Sequence, residues 1–201
     1  MTEEQAQNLV GALSLALSDR VQEAVTAASG QAPSAAAALS ALRHFEFDPS
    51  IDLLGRILGL TSSGTVRLVD RLAEAGLVRR DRSPSTSGTD ARVATLRLTP
   101  AGRRAAGRVT TARARTLQAA MLALSPEERE QLGTLAGRVM AGMARPPGAV
   151  RWGCRMCDTG ACRRYQGGCP VATAAERAGE RSDAVHGRPP EAAAERRPDQ
   201  D

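Results

Sequence analysis

All four cysteines of the chain fall within sixteen residues: Cys154, Cys157, Cys162 and Cys169, spaced C-x2-C-x4-C-x6-C. A reducing compartment keeps ordinary thiols reduced, so clustering there favours metal binding over disulfides. Four thiolates complete the tetrahedron of a zinc ion and leave no open position for zinc catalysis. They equally satisfy a 4Fe-4S iron–sulfur cluster, and Cys169-Pro170 echoes the Cys-Pro ending of bacterial ferredoxin runs. The spacing follows neither that run nor the longer gap of a zinc ribbon, and zinc is the simpler outcome. The alternative is a thiol redox switch, with Arg151, Arg155, Arg163 and Arg164 lowering thiol pKa values. No other catalytic constellation stands out. The two histidines, His44 and His186, lie in different regions, and there is no GxGxxG or Walker glycine loop. No enzyme is expected.

The elements that must position this module come earlier in the chain, from Ile51 to Gly102. Leu53, Leu54, Ile57 and Leu58 recur at helical spacing, and Gly59 stands where such a helix ends. Thr61 or Ser62 can cap a second helix. It turns Leu68, Val69 and Leu72 inward, Arg67, Asp70, Arg71 and Glu74 outward, and stops at Gly76. Two short helices joined this way form a helix-turn-helix, whose second helix suits a DNA major groove. Leu77 to Asp81 then reads as a strand and Arg92 to Leu98 as its partner. The intervening SPSTSGTD is a long hairpin tip, so the hairpin makes a basic wing. The fold class expected is mainly α with a small β-wing.

These residues resemble the MarR family of winged helix-turn-helix transcriptional regulators. The resemblance rests on LGLTSSGTVRLVDRLAEAGLVRR, on Asp90-Ala91-Arg92 as the wing's D-x-R, and on Leu98-Thr99-Pro100-Ala101-Gly102-Arg103. It covers roughly residues 5 to 144, about two-thirds of the chain. It departs from the family's usual pattern at Thr65 and Val66. Ser62, Ser63, Val66, Arg67 and Arg71 are the residues expected to meet DNA from the second helix. Arg79, Arg80 and Arg82 are expected on phosphates, which position without specifying. By the resemblance, Arg92 bonds Asp90 to hold the wing tip or enters the minor groove.

Charge supports a polyanionic partner. The chain has 201 residues and a net charge of +5, and all its 27 basic residues are Arg. From Arg67 to Arg115 twelve Arg face only Asp70, Glu74, Asp81 and Asp90. A surplus that coincides with a recognition helix and a wing points to double-stranded DNA. No stretch approaches the ~20 apolar residues of a membrane span. The acidic start MTEEQAQ lacks a signal-peptide core, so a cytoplasmic protein is expected.

Flanking helices suggest a homodimer. Leu9, Leu13, Leu17, Val21 and Val25 form a stripe on a first helix, which could pack within its own protomer or against a second. Thr99 and Pro100 start a helix running to about Leu124. Ser125-Pro126-Glu127-Glu128 is a capping box for the next, through Leu132, Leu135, Val139 and Met143. The resemblance implies that such terminal helices interlock as a two-fold dimer, which requires a pseudo-palindromic operator. The Ala-rich helix from Ser34 to His44 leaves room for a small-molecule effector, with His44, Phe45 and Phe47 as candidate lining.

The expected organisation is a dimeric winged-helix domain over 1–144, with its DNA-binding core at about 34–102. A four-cysteine module follows at 145–174, then a disordered tail over 175–201, which is poor in branched apolar residues. The function expected is a sequence-specific regulator, a repressor by preference, with metal or redox sensing at the cysteines. The rival is an electron-transfer or thiol-redox protein in which DNA binding is secondary.

Overall fold

The computed structural model describes residues 1–45, 48–82, 94–143 and 153–180. Seven helices and one hairpin make up the described chain, in agreement with the mainly helical winged architecture expected. They are α1 (Glu3–Ser29), α2 (Pro33–His44), α3 (Ile51–Leu58), α4 (Ser62–Glu74), β1 (Val78–Arg82), β2 (Ala94–Leu98), α5 (Pro100–Ala120), α6 (Pro126–Gly142) and α7 (Pro170–Glu180). A short 3-10 turn, Arg164–Gln166, precedes α7. Among these residues no helix is long and apolar enough to cross a membrane.

Local chemistry sets the element ends. Ser50, Thr61 and Thr99 each accept a backbone N–H three residues on, capping α3, α4 and α5. Thr2 with Gln5 and Ser125 with Glu128 form reciprocal capping boxes on α1 and α6. Helix α3 closes at Gly59, whose φ of 67° is the left-handed conformation that only glycine adopts at no steric cost. Helix α5 ends at Ala120, one turn before the expected Leu124. Pro126 forces the preceding Ser125 to be extended (ψ 165°), so the chain leaves the helix early and turns through 121–124.

The winged unit packs around one core. Leu39 of α2, Leu54 and Ile57 of α3, Leu68, Val69 and Leu72 of α4, and Val78, Leu96 and Leu98 of the hairpin bury their side chains together with Ala105 and Ala106 of α5. The strands pair antiparallel, Val78 opposite Leu98 and Arg80 opposite Leu96. A bridge on the other side of β2 extends the hairpin. Ser50 bridges Thr95, and Leu96 N–H donates to the Pro49 carbonyl at 2.9 Å. The wing is thereby tied to the start of α3.

Val25 of α1, Ala36 of α2 and Val109 of α5 form a second, smaller cluster, with Val21 and Ala112 against it. The apolar stripe of α1 therefore has two fates. Val25 and Val21 pack within the protomer, whereas Leu9 and Leu13 are exposed. Helix α6 buries none of its residues and presents Leu132, Leu135, Val139 and Met143 outward.

The C-terminal end departs from the expected boundaries. Helix α7 runs to Glu180, with Val171, Ala172 and Ala175 buried, so order extends past residue 175, where a disordered tail was expected to begin. Helix α7 packs along α6, and Pro170 lies so close to Gly137 that a Cβ there would meet the proline ring at 2.9 Å. Packing orders this Ala-rich helix where composition alone does not. The linker 145–148 and residues 181–201 lie outside the described residues.

Candidate nucleic-acid interface and cysteine module

Helix α4 has two sharply different faces. Leu68, Val69 and Leu72 are buried, while Ser62, Ser63, Val66, Arg67 and Arg71 are exposed. All five residues expected to meet DNA from this helix therefore share its outer side. Thr65 is fully buried, and its hydroxyl donates to the Thr61 carbonyl at 2.8 Å. A Cβ on Gly55 would lie 2.7 Å from the same hydroxyl oxygen. The threonine thus occupies an inward position on α4, and α3 meets it with a glycine.

The wing is braced by ion pairs. Arg80 binds Asp70 of α4, fastening β1 to the helix. Arg79 pairs with Asp81 at 2.8 Å, and Arg97 grips Asp48 through both Nε and Nη2. That grip holds the Arg97 pKa above its ordinary value, chiefly through the hydrogen bond and charge of Asp48. Arg79 and Arg80 thus have partners within the protomer and remain partly exposed beside α4. Asp90 and Arg92 lie outside the described residues, as does the side chain of Arg82.

Where α2 ends, α5 begins and the hairpin passes, an open cleft of ≈ 850 Å³ is lined by Arg43, His44, Asp48, Arg97, Arg103 and Thr110 among others. His44 Nε2 lies 2.8 Å from Thr110 Oγ1. Its pKa is lowered, mainly by burial and also by Arg43 and Arg113, against the opposing pull of Asp158. Of the three candidate pocket residues, His44 reaches the cleft. Phe45 instead packs into the core with Arg164 over its ring at 5.6 Å, and Phe47 lies outside the described residues.

The cysteine module folds back onto this junction. Thr159 Oγ1 donates to the His44 carbonyl at 2.8 Å, and Tyr165 hydroxyl donates to the same oxygen at 3.3 Å. Asp158 Oδ1 stands 3.7 Å from His44 Nδ1. Met156 packs against both buried clusters, and Cys154 and Cys169 belong to the larger one. Sequence reasoning did not find Met156, Thr159 or Tyr165, since such contacts leave no periodic trace in the chain.

All four thiols are free. Cys154 hydrogen-bonds Cys157, and Cys162 hydrogen-bonds Cys169. The Cys154 hydrogen bond lowers the Cys157 pKa to about 6, assisted by Arg113 and Arg164 against the cost of burial. The same hydrogen bond, with burial, pushes Cys154 up. Burial first, then its bond to Cys169, pushes Cys162 up to about 12. Cys169 precedes α7, and its sulfur accepts the Ala172 N–H at 3.4 Å. Among the described residues, no three His, Cys, Asp or Glu side chains are arranged to hold a metal ion as they stand.

Residues 30–92 match the sequence profile of the MarR family. Among solved structures, a MarR family protein from Bacillus stearothermophilus superposes with a TM-score of 0.61 at 26% identity, covering 72% of this chain and 99% of that one. A MarR family transcriptional regulator from Silicibacter pomeroyi gives 0.52 at 23%, covering 68% and 88%. MepR, a transcription regulator of the Staphylococcus aureus multidrug efflux pump MepA, gives 0.55 at 16%, covering 71% and 99%. No curated protein sequence matches the chain. The Bacillus protein and MepR are covered almost whole, so the remainder of this chain is additional to them. By profile, residues 30–92 are similar to the MarR family, and the chain has the winged helix-turn-helix fold of these solved structures.

Proposed function

We propose that the chain is a sequence-specific transcriptional regulator, a repressor, that binds a pseudo-palindromic operator as a homodimer. The observation that carries this reading is the outer face of α4, where Ser62, Ser63, Val66, Arg67 and Arg71 stand exposed above a buried Leu68-Val69-Leu72 seam. A helix fixed so from behind can enter the major groove without rearrangement. Arg67 suits a bidentate contact to guanine, and Val66 suits a thymine methyl. The exposed leucines of α1 and the uncovered face of α6 support the second copy. Repression follows most directly, because a dimer seated on promoter DNA excludes other proteins with no further contact.

Arg67→Ala is expected to cost about 1–3 kcal/mol on the cognate operator and to relax preference at one base position. Equal weakening on random DNA would reduce Arg67 to a phosphate clamp and remove it from base reading. In this account the four cysteines are the sensing element, with zinc favoured over a 4Fe-4S cluster and a thiol redox switch as the alternative. The cleft beside His44 offers a place for a small-molecule effector.

A further inference from the structure

The module's place on the junction carries more than a sensing role in outline. Its cysteines converge on one buried cluster, Cys154 and Cys169 within it and Cys157 and Cys162 packed against it. Two positive-φ residues, Arg163 at 50° and Gly167 at 72°, fold the loop that returns the chain to Cys169. Arg163 is the only non-glycine with positive φ among the described residues, and such a conformation persists where surroundings over-determine it.

We propose that Cys154, Cys157, Cys162 and Cys169 hold one thiophilic metal centre, a zinc ion or a four-iron cluster, which clamps the C-terminal end of α2. As the metal enters, each thiol still protonated gives its proton to water, and four metal–sulfur bonds form. The sulfurs turn to a common centre by side-chain rotation. Four thiolates around zinc, or around a four-iron core of charge +2, carry a net charge of −2. Arg164 and Arg113 stand close enough to act on these sulfurs and offset that charge. The Ala172 N–H directed at the Cys169 sulfur supplies the kind of hydrogen bond that tunes a metal thiolate.

The clamp is the pair of hydrogen bonds from Thr159 and Tyr165 to the His44 carbonyl, one of the last carbonyls of α2, which the helix itself cannot satisfy. Helix α7 anchors the other side of the module on α6. The metal thus fixes a brace between the helix that bears the proposed dimer face and the helix that leads into α3 and α4. A loop this short has little core of its own, so metal binding supplies its folding energy. The consequence for operator affinity rests on the DNA-binding reading above, whereas the metal centre and the clamp do not.

The test uses the full chain purified without oxygen, measured for zinc, iron and sulfide, and examined by visible absorption. One zinc per chain in colourless protein, or four iron and four sulfide in brown protein, is the expected result, and either is lost in a Cys157→Ser, Cys162→Ser double variant. Substoichiometric metal that does not rise on incubation with zinc, or with ferrous and ferric iron in equal parts and sulfide, overturns the site. Amide hydrogen exchange then reads the clamp. Exchange at the end of α2 should quicken on metal removal, and also in Thr159→Val with its metal content intact; unchanged exchange in both overturns the clamp. Operator affinity should shift by about 5- to 150-fold on metal removal, the usual span of coupling. Bound metal and a working clamp with no operator binding in any form would sink the DNA reading while leaving this proposal standing.

Discussion

A chain carrying Leu135→Glu and Val139→Glu is expected to sediment as a monomer and to lose about 100- to 10,000-fold in operator affinity, the range that simultaneous engagement of two sites contributes. These side chains are 55% and 57% exposed in the protomer, on a helix with no fully buried residue. Burying each Leu or Val in an interface stabilises by about 1.5–3 kcal/mol, and a carboxylate in its place would be desolvated without a partner. Because the positions are exposed within one chain, the variant keeps its fold, which circular dichroism checks. Binding to a single half-site should survive. A double variant that still sediments as a dimer would place the interface elsewhere.

Gly102→Ala is expected to destabilise the winged unit at the upper end of the range for overpacking, about 1–3 kcal/mol, or beyond it. A Cβ at this position would lie 1.9 Å from the Leu77 carbonyl oxygen, and that oxygen is held in place. It accepts the Thr99 N–H at 3.0 Å, and the Thr99 hydroxyl lies 3.3 Å away. The first turn of α5 sits directly on the link between α4 and the wing, and only glycine permits the approach. Relieving the overlap requires moving backbone, so the recognition helix and hairpin shift together. Urea unfolding reads the loss, and a midpoint equal to wild type would show that the contact relaxes at no cost.

The helix-turn-helix was legible because each of its joints has a chemical signature. Gly59 and Gly76 adopt positive φ, Thr61 and Thr99 cap, and Pro100 and Pro126 open helices, all as residue type alone suggests. The division of α4 into buried and exposed faces was equally readable from the spacing of Leu68, Val69 and Leu72. The pairing of Arg80 with Asp70 and of Arg97 with Asp48 was not, since charge partners far apart in sequence meet only once the chain has folded. The same holds for the bridge at Ser50, too short for any alternation. The cysteine cluster was visible, but its seat was not. Residues 175–180, poor in branched side chains, read as disordered until α6 offers their helix a surface, and Thr159 finds the His44 carbonyl across 115 residues. Even the small side chains of α2 were informative only in part: Ala36 joins the cluster on which Met156 packs.

Selection of binding sites from random-sequence duplex DNA by the full chain tests the central claim most directly. The expected result is enrichment of an inverted repeat with half-site centres about 10 base pairs apart, bound by two chains, with Arg67→Ala losing preference at one position in each half. Recovery of no common sequence, or of an unrepeated site bound by a single chain, would contradict it.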